Sequence, residues 1–117
     1  MLNFCVSLTS IPSRFDTINK TIESLNKQTK KANKIFLNIP NKYKRYPMQD
    51  FDITKIGNAY ENLEITRCED FGPGTKLLGS FDKIFKYDYI ILVDDDHVYS
   101  KEMLNFFYEK GLENLDK

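Results

Sequence analysis

The sequence predicts an α/β fold, a mostly parallel sheet of about four strands flanked by helices, and three observations carry that expectation. Four short runs rich in apolar and β-forming residues are spaced along the chain, at Phe4-Cys5-Val6-Ser7-Leu8, Ile35-Phe36-Leu37-Asn38-Ile39, Leu63-Glu64-Ile65-Thr66-Arg67 and Tyr89-Ile90-Ile91-Leu92-Val93. Helix-period stripes separate the first run from the second and the third from the fourth. The last run ends directly in Asp94-Asp95-Asp96, a cluster of hard oxygen ligands at one edge of a sheet.

Phe4 to Leu8 is almost wholly apolar, as a strand covered on both faces would be. Ser13 then opens a helix, with Asp16 completing a capping-box-like pair. Phe15, Ile18, Ile22 and Leu25 follow at spacings of 3, 4 and 3, one stripe of a helix that should end near Gln28. After the basic turn Lys30-Lys31-Ala32-Asn33-Lys34, the second strand runs to Pro40. This completes a βαβ unit, whose crossover makes its two strands parallel.

Residues 41 to 60 lack periodicity and are expected to hold one or two short helical turns. The third strand gives way to the loop Glu69-Asp70-Phe71-Gly72-Pro73-Gly74. Thr75 caps the next predicted helix, with Leu77, Leu78, Phe81, Ile84 and Phe85 as its apolar stripe. Beyond the fourth strand, Ser100 is placed to cap a final helix carrying Met103, Leu104, Phe106, Phe107 and Tyr108, interrupted or ended near Gly111.

A chain of 117 residues is one domain, with room for a core but little for separate donor and acceptor sites. Lys and Arg number 17 and Asp and Glu 17, so no global charge favours nucleic acid or an anionic membrane, and any anion site must be local. No segment approaches the ~20 apolar residues of a membrane span, and the N-terminus lacks a signal-peptide pattern. Cys5 and Cys68 have no zinc-type spacing and read as free thiols in a reducing compartment. The expectation is a soluble, cytoplasmic protein.

In a parallel α/β sheet, ligands bind outside the carboxyl ends of the strands. Three polar loops gather there: residues 9 to 14, 68 to 76 and 94 to 97. Carboxylates crowded at Asp94, Asp95 and Asp96 repel one another, and a divalent cation relieves that repulsion. Magnesium or manganese suits the oxygen donors. Alternate residues at a strand end share a face, which makes Asp94 and Asp96 the metal pair and Asp95 the spare. The bland alternative is a solvated acidic turn before a helix.

In Asp70-Phe71-Gly72-Pro73-Gly74-Thr75-Lys76, exposed backbone N–H groups, a helix N-terminus and Lys76 could receive a diphosphate. An ordinary Gly/Pro turn would read the same way. Thr9, Ser10 and Arg14 follow the first strand, where backbone meets a nucleotide and a guanidinium can pair with phosphate. His97 is a candidate ligand or proton carrier, or simply a polar loop residue.

Together, Ser7-Leu8-Thr9-Ser10-Ile11-Pro12-Ser13-Arg14, Asp70-Phe71-Gly72-Pro73-Gly74-Thr75-Lys76-Leu77-Leu78 and Ile90-Ile91-Leu92-Val93-Asp94-Asp95-Asp96-His97 resemble the GT-A glycosyltransferases, especially family-2-like members. The resemblance spans nearly the whole chain and implies a Rossmann-like, nucleotide-sugar-binding half of that fold. It implies a UDP-sugar donor, manganese or magnesium, and an acceptor hydroxyl that attacks the anomeric carbon. By position, Asp96 resembles the principal metal ligand of the family's DxD motif, and Asp94 the residue contacting ribose or assisting the metal. Asp95 counts with the nucleotide-contacting set. Thr9, Ser10 and Arg14 match the loop bordering the nucleotide, Asp70 the base or ribose contact, and Lys76 the diphosphate contact.

In such enzymes the acceptor side and the general base come from chain beyond the DxD strand, and 21 residues follow Asp96 here. The expectation is therefore a donor-binding portion completed by a further C-terminal half or a partner chain. The competing functions are a non-catalytic nucleotide- or metal-binding module and an Asp-nucleophile phosphohydrolase. The latter places its strand-then-Asp-x-Asp early in the chain, unlike this one.

Overall fold

A computed structural model of the chain describes residues 2–45, 53–56 and 60–113. Four strands, β1 (Phe4–Thr9), β2 (Lys34–Pro40), β3 (Leu63–Cys68) and β4 (Tyr89–Leu92), make one sheet in the order β3-β2-β1-β4. Every pairing is parallel, so the predicted α/β architecture is present. Central β1 sets the register, with Val6 level with Ile35 on one side and Ile91 on the other.

The chain moves outward from β1 through β2 to β3, then returns to the far side of β1 to lay down β4. That reversal is the topological switch point of an open α/β sheet, and it lies between β1 and β4.

Side chains alternate across the sheet. Phe4, Val6 and Leu8 of β1 join Ile35, Leu37 and Ile39 of β2 and Ile91 of β4 on one face. Ile18, Ile22 and Leu25 of α1 (Ile18–Asn26) and Leu104 and Tyr108 of α4 (Met103–Glu113) pack there as the main core. The opposite face is thinner: Cys5, Phe36 and Ile84, with Leu77, Tyr87 and Ile90 against them. It is crossed by two one-turn helices, α2 (Thr75–Leu78) and α3 (Phe81–Ile84).

Several boundaries depart from expectation. The first helix begins at Ile18, not Ser13, because Pro12–Arg14 form a separate 3-10 turn closed by Arg14 N–H to Ile11 O at 2.9 Å. Proline at the start of that tight turn fits it, and no side chain caps either helix. Phe15, Ile18, Ile22 and Leu25 are nonetheless buried as the stripe requires.

The single helix expected from Thr75 to Phe85 is broken at Gly79-Ser80, and its stripe is mostly outside the core. Ile84 is buried, whereas Leu78, Phe81 and Phe85 are 42%, 48% and 66% exposed. The break lets the chain lie directly on β2: a Cβ on Gly79 would stand 2.6 Å from Asn38 Cβ.

α4 starts three residues after Ser100, and Gly111 lies inside it rather than at its end. Gln28 supplies the cap, accepting from Leu104 N–H at 2.9 Å and donating to Ser100 O at 2.6 Å. In the aperiodic region a 3-10 turn spans Ile53–Lys55; positions 46–52 and 57–59 lie outside the described residues. Both cysteines are free. No helix among the described residues is long and apolar enough to cross a membrane.

Candidate functional site

β4 hands its chain to the acidic turn under tight control. Val93 is still buried and its N–H donates to Ser7 O at 3.2 Å, extending the β1–β4 ladder. Asp95 then turns inward. Only 6% exposed, its carboxylate accepts from Ser10 Oγ at 2.6 Å and from Arg14 Nη1 at 2.8 Å. Its carbonyl accepts from Thr21 Oγ1 at 2.9 Å. Buried acceptors satisfied from three directions fix the residue, and through it the turn.

With Asp95 facing in, its two neighbours face out. Asp94, Asp96 and His97 each offer one ligand atom, and these atoms lie within 4.8 Å of one another on the exposed surface. Asp96 Oδ1 is 3.4 Å from His97 Nε2, and Lys76 Nζ is 3.5 Å from Asp94 Oδ1. The predicted separation of Asp94 and Asp96 from Asp95 is thus observed.

Tyr99 braces this turn from the side. Its hydroxyl accepts from Asp94 N–H at 2.9 Å and donates to Asp94 O at 3.1 Å, while its own N–H donates to Ser24 Oγ at 3.0 Å. Burial foremost, then the nearby carboxylates of Asp94, Asp96 and Asp95, push the phenol upward against the lowering effect of its bond to Asp94. It remains a neutral hydroxyl that can both give and accept.

At the same carboxyl edge, a cleft of about 300 Å³ opens between the ends of β1 and β2 and the loop after β3. Thr9, Ser10, Tyr43, Asp70 and Gly72 are among the residues that line it. The Thr9 hydroxyl is turned into the fold, donating to Asn38 O at 2.6 Å. Ser10 is spent on Asp95, and its carbonyl accepts from Tyr43 Oη at 2.7 Å. Burial, then the nearby Asp70 charge, raise the Tyr43 phenol well above its ordinary range. Asp70 braces its own loop, accepting from Lys44 N–H and Gly72 N–H, each at 2.8 Å.

The structure therefore gathers every sequence-predicted site residue at one edge but divides their work. Asp94, Asp96, His97 and Lys76 present polar atoms outward. Asp95, Ser10 and Arg14 hold one another, and Thr9 and Asp70 shape the cleft wall. The expected helix N-terminus for a diphosphate is reduced to α2, a single turn of 4 residues with little aligned dipole, which leaves Lys76 as the cation of that loop.

Tyr99, Tyr43, Thr21 and Ser24 escaped sequence reasoning. Their contacts are hydroxyl bonds to backbone or side chains set by tertiary packing, and no local pattern announces them. Comparison with protein-family models, curated proteins and solved structures returns no match.

Proposed function

We propose that this chain binds a nucleoside diphosphate sugar, UDP-linked, at the carboxyl edge of its sheet, and that the glycosyl group is passed to an acceptor hydroxyl. One observation carries the reading. At the switch point, an outward Asp94/Asp96 pair with His97 stands against the Lys76 ammonium, and Ser10, which holds Asp95 between them, also lines a cleft of about 300 Å³ at the same carboxyl edge.

The donor set suits a divalent cation held by Asp94 and Asp96. Two carboxylates fit magnesium or manganese, and an imidazole beside them is tolerated better by manganese than by magnesium, which keeps to oxygen. Such a cation, when bound, supplies electrostatic stabilisation to the departing diphosphate. Lys76 adds a positive charge at the same edge, against Asp94 and open to an incoming phosphate. The cleft walls orient the base and ribose, and Asp95 and Tyr99 keep the turn from collapsing onto itself.

Calorimetric titration of UDP with and without manganese tests the reading. The expected result is manganese-dependent binding by the wild type, lost in Asp94→Ala and Asp96→Ala. Absence of binding in both conditions rejects it.

A further inference from the structure

We infer that Ser7 and Asn38 are positioning residues: from the middle of the sheet they hold the main chain of α2 so that Lys76 stands against Asp94. The inference deepens the proposed function, on which its nucleotide readout rests. Its structural part stands on the sheet alone.

Ser7 of β1 and Asn38 of β2 lie on the thin face of the sheet, and both are fully buried. The two hydrogens of Asn38 Nδ2 are shared among Thr75 O at 3.0 Å, Ser7 Oγ at 3.1 Å and Lys76 O at 3.3 Å. The Ser7 hydroxyl donates to Lys76 O as well, with Ser80 Oγ 3.5 Å away. Two consecutive carbonyls of α2 are thereby tied to two neighbouring strands.

Asn38 Oδ1 has no hydrogen-bond partner among the described residues. A buried acceptor left unpaired is costly, so apolar packing alone would favour a hydrocarbon side chain in this space. Cys5, Phe36 and Ile84 fill the rest of the layer in that way. What the amide and hydroxyl add is direction. A helix of 4 residues cannot hold itself, and apolar contact alone would let it slide or rotate on the sheet. Bonds to the Thr75 and Lys76 carbonyls remove both freedoms. Gly79 completes the arrangement, since its missing side chain lets the chain rest on the Asn38 amide.

The test uses Asn38→Leu, which keeps the branched four-heavy-atom skeleton and removes the donors, and Ser7→Ala, which removes a single hydroxyl. Lys76 and Asp94 are close enough for a carbodiimide to join them in an amide, read by peptide mass spectrometry. The expected result for Asn38→Leu is a cooperative melt, loss of the Lys76–Asp94 cross-link, and UDP affinity in manganese lowered about tenfold. Manganese alone should bind as before, because Asp95 and Tyr99, not α2, hold the acidic turn.

Wild-type cross-linking in Asn38→Leu overturns the inference, as does loss of manganese binding together with UDP binding. If the wild type itself binds no UDP, the proposed function fails and the cross-link alone decides the positioning role. If Asn38→Leu does not fold, Ser7→Ala decides: reduced cross-linking supports the inference and unchanged cross-linking overturns it.

Discussion

Asp95 does work opposite to that of the two carboxylates flanking it. Its side chain is 7% exposed and held by Ser10 and Arg14, so replacing it by alanine strands a buried hydroxyl and half an ion pair. Because Arg14 is itself 45% exposed, solvent screens part of that loss. Asp95→Ala is expected to lower stability by about 1–3 kcal/mol in urea denaturation. Asp94→Ala, on the exposed side, is expected to stay within about 0.5 kcal/mol of wild type while abolishing manganese binding. Tyr99→Phe removes the hydroxyl that serves both polar groups of the Asp94 backbone, and should weaken manganese binding a few-fold in the same titration. The triplet and its alternation were legible in sequence because strand geometry dictates them. The brace at Tyr99 was not, since it depends on how residues 97–100 fold back, which no periodicity encodes.

At the scale of elements, the strands were legible almost residue by residue and the helices were not. Strand runs announce themselves through burial on both faces, and β1 and β2 are buried nearly end to end. The segment from Thr75 to Phe85 carried an equally clear helical stripe, yet close approach of Gly79 to Asn38 broke it into α2 and α3. Tertiary contact outweighed local propensity there. Gly79→Ala is therefore expected to destabilise the chain by about 2 kcal/mol although alanine favours helix, because its Cβ would fall 2.6 Å from Asn38 Cβ and 2.8 Å from Thr75 O. Thermal melting checks the sign: a stabilised variant would mean that α2 and α3 can merge.

For the whole molecule, the order β3-β2-β1-β4 sets both the stability profile and the way the site comes into being. Burial raises the Cys5 thiol from 9.0 to about 11 and the Tyr89 phenol from 10.0 to about 12. The folded chain keeps these protons where the unfolded chain releases them. Their contribution is whole below about pH 9 and is lost as pH rises through 11 to 12. Melting temperature should fall across that window, and Cys5→Ala should flatten its first part. Fold class was legible because alternation and run length survive without knowledge of partners; which strand neighbours which was not, since pairing is decided by the crossovers. Pairing β1 with β2 closes a short crossover, whereas pairing β1 with β4 joins segments about as far apart as Ser10 and Asp95, 85 positions in sequence. Contacts so distant in sequence carry the larger loop-closure cost and are expected to form after the β1–β2 pairing. The acidic turn, where Ser10 and Arg14 hold Asp95 across that separation, is then complete only once β4 has docked on β1, and a ligand there meets folded molecules. Manganese with UDP is accordingly expected to slow unfolding while leaving the refolding rate unchanged in stopped-flow measurements. Occupancy of the switch point would act as a latch on the completed chain, with no part in guiding its assembly.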